Sequence, residues 1–253
     1  MPGLAAALGD PARLPALDDD ALRGLAPALI VAPHPDDESL GCAGLCVRLH
    51  ALGLAAHLLL VSDGSGSHPG SRAWPAPRLA ALRAAEAAEA WRRLGGHPAQ
   101  IHALGLADRF VPAAGDDLFP QAVARARALV EALAPAAVVV PWRRDPHHDH
   151  RATWAILDAA LADMSPRPRR LEYPIWTWEQ PGEGAPPGAG EVTLWRLDLD
   201  APARAAKQAA IAAHRSQLGL VIDDDPAGFV LTPAMLAHFA GPHEIFFEER
   251  PRH

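Results

Sequence analysis

The chain has few cysteines and no excess of basic residues. Its two cysteines, Cys42 and Cys46, lie four residues apart in a predicted helix. We expect them to pack there as small apolar side chains rather than to form a disulfide. The formal net charge of -7 argues against a nucleic-acid-binding surface and favours small neutral or cationic substrates.

Signals for targeting and membrane insertion are also missing. The N-terminus has no basic segment that leads into an apolar one, and no stretch reaches the roughly 18 uncharged apolar residues of a membrane span. We therefore expect a cytoplasmic protein without a membrane span, and the composition leaves a homo-oligomer open. With 253 residues, 49% of them hydrophobic, the chain can bury a full core, so we expect one domain over residues 1–253.

A dinucleotide-binding fingerprint is absent from the glycine-rich run at residues 62–70. Gly64 and Gly66 are present, but Pro69 stands where the third glycine of the fingerprint belongs. We therefore expect no nucleotide cofactor. The run follows a predicted strand, so it should still face the crevice at the strand ends.

Short apolar runs alternate with longer stretches of helical period. This alternation predicts an α/β fold of Rossmann-like type, with a mainly parallel sheet and helices on both faces. The last segments, 233–240 and Ile245-Phe246-Phe247, would add an edge or an antiparallel pair. Residues 181–190, rich in Pro and Gly, are predicted to be a loop insertion, either a lid or a disordered excursion. The predicted strands are 28–32, 56–62, 99–104, 136–141, 171–176 and 192–197, and the predicted helices are 38–52, 76–95, 119–134, 149–163 and 202–218.

Two predicted strand-to-helix junctions are rich in histidine and aspartate. The first strand runs into His34, Asp36 and Asp37, and the strand at 136–141 runs into residues 145–150, Asp-Pro-His-His-Asp-His. In an open α/β sheet, the loops after the carboxyl ends of the strands share one crevice, so the two clusters can meet. Each aspartate alone could be a helix N-cap. Two such junctions in one chain favour a metal site.

The residue types in the two clusters suit metal-assisted hydrolysis. Two imidazoles and one carboxylate form a ligand set for Zn²⁺ at about 2.0–2.2 Å, and Fe²⁺ or another divalent ion would also fit. Such a site leaves a position for water, whose pKa the metal lowers towards about 7. Of two adjacent aspartates, one can bind the metal while the other takes a proton from the water. If His150 is a ligand, His147 can donate a proton, with Asp149 or Asp145 on its other ring nitrogen. Together these groups describe hydrolysis of an amide or ester.

Both clusters also match a family. Ala32-Pro33-His34-Pro35-Asp36-Asp37-Glu38-Ser39-Leu40-Gly41-Cys42, with His147-His148-Asp149-His150, closely resembles the motifs of the PIG-L/LmbE-like zinc-dependent N-deacetylases. Those enzymes remove acyl groups, usually acetyl, from amino-sugar derivatives. Further matches are Ser62-Asp63-Gly64, the helix from Arg78 to Gly95, Lys207, His214-Arg215-Ser216-Gln217 and Glu244-Ile245-Phe246.

The resemblance implies a role for each residue of the two motifs. The metal ligands would be His34, Asp37 and His150. Asp36 would be the general base, and His147 the acid that protonates the leaving amine, oriented by Asp149. The substrate would be a small acylated amine of the amino-sugar type.

Three residues outside the two motifs are candidates for substrate contacts. Arg78 could reach a hydroxyl or phosphate, although an exposed helix arginine explains it as well. Asp63 lies either in the crevice or in a simple turn. Trp176 and Trp178 would alternate along a strand and face one side, where Trp176 could stack on a sugar or pack in the core.

The sequence departs from the family pattern at two positions that concern the site. His148 replaces the proline that usually lies between the first histidine and the aspartate of the second motif, so two imidazoles compete for the role of the acid. Ala81 stands where an acidic residue often follows, three positions after the arginine matched by Arg78.

Two other functions remain open at this point. His34 and Asp36 with a distant histidine imitate the two-histidine, one-carboxylate triad of non-haem iron oxygenases. That triad is usually housed in a β-rich fold, whereas this chain alternates helices and strands. The second alternative is a metal-binding or partner-binding protein that has lost activity, although every expected catalytic residue type is present.

Overall fold

The structure of the protein is a computed structural model that describes residues 10–179, 187–188 and 190–250. Most of the predicted loop insertion at 181–190 therefore lies outside the described residues. The strands are β1 (Ala28–Ala32), β2 (Ala56–Ser62), β3 (Ile101–Leu106), β4 (Ala137–Pro141), β5 (Arg169–Tyr173), β6 (Val192–Asp198) and β7 (His243–Glu249). The α-helices are α1 (Asp19–Arg23), α2 (Asp37–Gly41), α3 (Ala43–Ala51), α4 (Ala76–Arg93), α5 (Phe119–Leu133), α6 (His148–Leu161), α7 (Ala201–Ile211) and α8 (Pro233–Phe239).

These strands form one seven-stranded sheet with the order β3-β2-β1-β4-β5-β7-β6. Strands β1 to β5 pair in parallel, whereas β7 pairs antiparallel with both β5 and β6. The predicted α/β fold, including the antiparallel pair near the end of the chain, is therefore confirmed. Because the strand order reverses between β1 and β4, the loops after these two strands diverge and leave a crevice.

Helices cover both faces of the sheet, and each face has its own core. Ala28 and Ile30 of β1 pack with α3, α4 and α7 on one face, whereas Leu29 and Val31 pack with α5 and α6 on the other. Strands buried on both faces need apolar residues throughout, which explains the continuous apolar runs of β1 and β4. The predicted packing of Cys42 is confirmed, because its thiol is free and buried in the first core.

Two predicted helices are shorter than their apolar period suggested. The helix expected at 38–52 is divided at Cys42 into α2 and α3, and the one expected at 202–218 ends at Ile211. A separate 3-10 turn, Arg215–Leu218, follows after His214, whose Nε2 lies 3.1 Å from Oε1 of the buried Glu38. Tertiary contacts therefore override helical periodicity at this point.

The strand predicted at 171–176 ends at Tyr173, so Trp176 and Trp178 do not alternate along a strand. They belong to a 3-10 turn, Trp176–Trp178. Pro174 has no N–H to continue the ladder, and the backbone N–H groups of Ile175 and Trp176 donate instead to Asp145 Oδ2, at 3.3 and 3.0 Å. None of the helices in the described part of the chain is long and apolar enough to cross a membrane.

Gly41 offers a test of the packing beneath the crevice. A Cβ at this position would lie 2.3 Å from Cδ2 of the buried Tyr173, whose hydroxyl donates to Val31 O at 2.7 Å. We expect Gly41→Ala to lower the free energy of unfolding by about 1–3 kcal/mol, the usual cost of overpacking, as measured by denaturant titration. The control is Gly241→Ala, where a Cβ meets nothing within 4 Å. Equal stability of the two variants would contradict this packing.

Candidate metal centre

The two clusters of histidine and aspartate meet at the carboxyl ends of β1 and β4. His34 follows β1 and Asp37 begins α2, while His150 lies in the first turn of α6. β1 and β4 are neighbours in the sheet, so both loops open into the same crevice. As a result, His34 Nδ1 and His150 Nε2 are only 3.3 Å apart although 116 residues separate them in sequence.

Three donor atoms form a nearly equilateral triangle. Asp37 Oδ2 lies 3.2 Å from His34 Nδ1 and 3.3 Å from His150 Nε2, and the two nitrogens are 3.3 Å apart. Ligands of a tetrahedral ion at about 2.0–2.1 Å lie about 3.3–3.4 Å from one another, so the triangle has the size that zinc requires. All three side chains are buried. These residues could therefore hold a divalent ion.

Electrostatics also favour a cation at the triangle. Burial raises the pKa of Asp37, but the charges and hydrogen bonds of His150 and His34 outweigh burial and lower this pKa well below its usual value. Burial lowers the pKa of His150, but Asp37 and Asp145 outweigh it and raise this pKa to about 9. Carboxylates that draw protons onto the imidazoles would equally attract a divalent cation, which binds as those protons leave.

Further carboxylates orient the rings of the two imidazoles. Asp149 Oδ2 and Asp108 Oδ1 lie 3.0 and 3.2 Å from His34 Nε2, and Asp145 Oδ1 lies 3.3 Å from His150 Nδ1. We call these two ring nitrogens the outer nitrogens, and His34 Nδ1 and His150 Nε2, which belong to the triangle, the inner nitrogens. A carboxylate on the outer nitrogen fixes the ring so that the inner nitrogen faces the metal position. Burial lowers the pKa of His34, but Asp108, Asp149 and Asp37 outweigh burial and raise it well above its usual value.

The partner predicted for Asp149 is wrong. We expected its carboxylate to orient His147, but the carboxylate accepts hydrogen bonds from Arg109 N at 2.7 Å and Val111 N at 3.3 Å and faces His34. Only the backbone N–H of Asp149 contacts His147, donating to its Nδ1 at 3.2 Å as an N-cap bond of α6. Asp145, the other candidate, does not contact the His147 ring either, because its Oδ1 accepts from the His147 backbone N–H at 3.0 Å and lies 3.3 Å from His150 Nδ1.

His147 stands at the edge of the triangle with its Nε2 free of the helix cap. Its ring centroid is 4.8 Å from that of His34, and Trp176 stacks on its other side at 6.0 Å. Burial and the positive charges of His150 and His34 lower the pKa of His147 to about 4. His148 is exposed, and its Nε2 lies 3.1 Å from Val111 O.

Arg83, which the sequence analysis did not single out, holds Asp36 beside the triangle. Its Nη2 lies 3.1 Å from Asp36 Oδ2, and the guanidinium also donates to Gly64 O at 3.0 Å and Pro35 O at 3.1 Å. Burial raises the pKa of Asp36 more than Arg83 lowers it, and Asp37 raises it further. Asp36 is therefore a buried carboxylate with a fixed orientation and increased basicity.

The substrate contact predicted for Arg78 finds no support in the structure. Arg78 is exposed, lies over the Trp74 ring and donates to Ala73 O at 2.6 Å, so it does not reach the crevice. On α4, residues 78 and 83 are about 140° apart, so they cannot share a face. The acidic residue sought at Ala81 also has its counterpart three positions after Arg83, because buried Glu86 accepts from Ser216 N and Oγ, at 2.9 and 2.6 Å. The sequence contained a signal for this pair, because Arg83 and Glu86 have the spacing of three that was sought at positions 78 and 81.

Asp108, and not the predicted Asp63, lies at the site. Asp63 closes a turn by accepting from Ser65 N at 3.0 Å and Asp108 N at 3.3 Å, and it does not line the crevice. Asp108, which was overlooked, contacts His34. Its position just after β3 was the available signal, because the loop after every parallel strand opens on the same edge.

A cavity of about 720 Å³ lies over the triangle and is open to solvent. Its polar lining includes His34, Asp36 and His147. Much of its apolar lining is a wall formed by Trp176 and residues between 227 and 239. This wall is tied to the loop after β2, because Phe229 N donates to Ser67 O at 2.8 Å and Gly70 N donates to Asp225 Oδ2 at 2.8 Å. The volume is that of a small-molecule site.

Two other groups of side chains in the described residues also have donor atoms within 4.8 Å of one another. They are His34 with His147 and His150, and His34 with Asp108 and Asp149. The first group shares two members with the triangle. The second surrounds the outer nitrogen of His34, where Asp149 is already held by backbone N–H groups.

The family of the chain follows from comparison with known proteins. The family model described as GlcNAc-PI de-N-acetylase, PIG-L, matches residues 29–161, just over half of the chain. The protein belongs to the PIG-L family. The matched region spans β1 to α6 and thus contains both clusters, so the resemblance found in the sequence is confirmed. The comparison with curated proteins found no match.

Several solved structures share the fold of this PIG-L family member. The N,N'-diacetylchitobiose deacetylase of Pyrococcus horikoshii is 22% identical, with a TM-score of 0.58 over 75% of this chain and 70% of that one. The conserved protein TT1542 of Thermus thermophilus is 26% identical, with a TM-score of 0.60 over 90% and 97%. The pseudoaglycone deacetylase Dbv21 is 19% identical, with a TM-score of 0.66 over 87% and 96%.

Proposed function

We propose that this PIG-L family member is a metal-dependent hydrolase that removes an acetyl group from the nitrogen of an acetylated amino-sugar conjugate. The observation that carries the proposal is the triangle of His34, Asp37 and His150 beside a buried Asp36, at the base of an open cavity. Family membership and the deacetylase names of two structural neighbours support the same reaction.

The proposed cofactor is one Zn²⁺ per chain, with Fe²⁺ as the alternative, held by His34, Asp37 and His150. Two imidazoles and a carboxylate are donors that suit such borderline ions. When bound, the ion would polarise the acyl carbonyl and lower the pKa of a water molecule beside it. Asp108, Asp149 and Asp145 would keep the two imidazole rings oriented.

Asp36 would take a proton from the attacking water. Its burial raises its pKa, which makes the carboxylate a stronger base than an exposed aspartate. The ion pair with Arg83 fixes its direction and keeps its charge compensated. Asp36 and Asp37 thus have separate roles although they are adjacent.

His147 would protonate the leaving nitrogen. Its Nδ1 accepts the helix-capping bond, so Nε2 is the nitrogen left for proton transfer. Because burial and the neighbouring histidines lower its pKa to about 4, the ring would be neutral before the reaction and would become an imidazolium only as charge develops in the site. Negative charge that develops on the acyl oxygen would stabilise this imidazolium during the reaction. Trp176, stacked on the ring, would keep it in place.

The contacts of Asp36 disfavour the oxygenase alternative. That alternative needs Asp36 as a metal ligand, whereas its Oδ2 is paired with Arg83 and Asp37 Oδ2 faces both imidazoles. The inactive-protein alternative would be supported by full metal occupancy without any acetate release. We propose a small-molecule partner on the basis of the cavity, and the cytoplasmic location and oligomeric state remain predictions.

Removal and return of the metal test the proposed reaction. We expect chelator-treated protein to release no acetate from N-acetylglucosamine conjugates, and Zn²⁺ or Fe²⁺ to restore the release. The restored rate should not depend on oxygen or 2-oxoglutarate. If protein with one metal ion per chain releases no acetate from N-acetylated sugars, glycolipid precursors, antibiotics or aryl amides, the proposal fails.

The two adjacent aspartates should respond differently to the same substitution. Asp36→Asn keeps size and hydrogen bonding but removes the base, so kcat should collapse while the metal content remains near one per chain. Asp37→Asn should instead weaken metal binding. Elemental analysis and acetate release on both folded variants decide between the roles. Loss of metal in Asp36→Asn with full retention in Asp37→Asn would reverse them and revive the oxygenase ligation.

The two neighbouring histidines form a second matched pair. His147→Ala should keep the metal and lose roughly 10²–10⁴-fold in rate, the usual range for general acid–base catalysis. His148→Ala should cost less, because that side chain is exposed and lies beside Val111 O. If the His148 variant is the more damaged while both retain metal, the acid is His148.

A further inference from the structure

Arg109 has a backbone conformation that normally favours glycine. Its φ is +72°, in the left-handed region that side chains with a Cβ rarely adopt. The structure requires this conformation, because it directs the N–H groups of Arg109 and Val111 to the carboxylate of Asp149, at 2.7 and 3.3 Å. Glycine would serve this backbone turn without strain, so the arginine side chain calls for another explanation.

The Arg109 side chain lines the cavity. Its Cγ and Cδ lie 2.9 Å from the point that a Cβ on Gly66 would occupy, so the aliphatic stem rests on the Gly66 backbone. Within the described residues, its guanidinium has no hydrogen-bond or ion-pair partner. Arg83 also lines the cavity, but its two terminal nitrogens are paired with Asp36 and two carbonyl oxygens. Among the residues that the structure describes, Arg109 is thus an exposed cation at the cavity that has no partner for its guanidinium and whose stem lies against Gly66.

We propose that Arg109 binds an oxyanion of the substrate, a phosphate or a carboxylate, and thereby selects anionic amino-sugar conjugates. A guanidinium with all its N–H groups available binds such groups with two parallel hydrogen bonds. The inference rests on the proposed deacetylase function, which it narrows to a class of substrate. It assigns Arg109 to substrate recognition and not to the reacting atoms.

The charge at the cavity around Arg109 does not follow the net charge of the whole chain. The net charge of -7 favoured neutral or cationic substrates. However, charges are screened over about 8 Å at physiological ionic strength, so the nearest groups decide. Two carboxylates on the cavity already face a guanidinium, because Arg83 lies 3.1 Å from Asp36 Oδ2 and 3.7 Å from Asp108 Oδ2. Of the two arginines among the described residues that line the cavity, Arg109 is therefore the one without a paired carboxylate.

The test compares substrates that differ in charge. N-acetylglucosamine is neutral, N-acetylglucosamine 1-phosphate and 6-phosphate carry a phosphate, and N-acetylmuramic acid carries a carboxylate. We expect the metal-loaded wild type to have a higher kcat/KM for at least one of the anionic sugars than for the neutral one. Added salt should reduce this preference, and the sugar that shows it identifies the anion.

Arg109→Gly is the informative variant because glycine suits the backbone turn. Its melting temperature should equal or exceed that of the wild type. Its kcat/KM for the preferred anionic sugar should fall roughly 10- to 100-fold, the loss expected for a charge-assisted hydrogen bond, and far less for N-acetylglucosamine. Arg109→Lys should retain part of the preference. The control Arg125→Ala removes the same charge from the exposed face of α5 and should leave the preference intact.

Binding measurements separate this inference from the proposed function. Calorimetry with the same sugars reports the charge preference whether or not acetate is released. A preference that disappears in Arg109→Gly supports the inference even if no sugar is hydrolysed, in which case only the proposed function fails. Two results would overturn the inference. One is an equal loss of kcat/KM or affinity for neutral and anionic sugars in Arg109→Gly, and the other is a wild type that shows no charge preference by either method.

Discussion

The parallel pairing of β1 with β4 brings the two halves of the site together. Their register, Ala28↔Ala137 through Ile30↔Val139, aligns the ends of two strands that are buried on both faces. Each strand then passes within a few residues into a helix, so side chains of α2 and α6 converge over the gap. Sites of this kind need positions accurate to about 0.5 Å, which strands packed in two cores provide better than loops.

The cost of burying so much charge is offset by pairing within the site. Isolated buried carboxylates and imidazoles would be strongly unfavourable, but those around the triangle face an opposite charge or a backbone N–H group. Arg83 compensates Asp36, and two backbone N–H groups support Asp149 behind His34. A divalent ion within the triangle would satisfy the inner nitrogens of both imidazoles at once. The network therefore explains both why the site is buried and why it suits a cation.

Much of this arrangement could be predicted from the sequence because it depends on local patterns. Alternating periods predict the sheet, and the motifs around His34 and His150 predict which residues meet. Contacts set by tertiary structure could not be predicted in the same way. Arg83 reaches Asp36 only through the rotation of α4, and the carboxylate of Asp149 turns to His34 only because of the conformation at Arg109. The position of Trp176 depends on Asp145, whose carboxylate accepts from the Trp176 backbone N–H where the chain turns after β5.

The most direct test of the central claim is a crystal structure of the metal-loaded protein with anomalous data collected above and below the zinc absorption edge. Our account predicts one anomalous peak within about 2.0–2.2 Å of His34 Nδ1, Asp37 Oδ2 and His150 Nε2. Asp36 should remain paired with Arg83 in that structure. A peak at His34 Nε2 between Asp108 and Asp149, or one bound by Asp36 in place of Asp37, would contradict it.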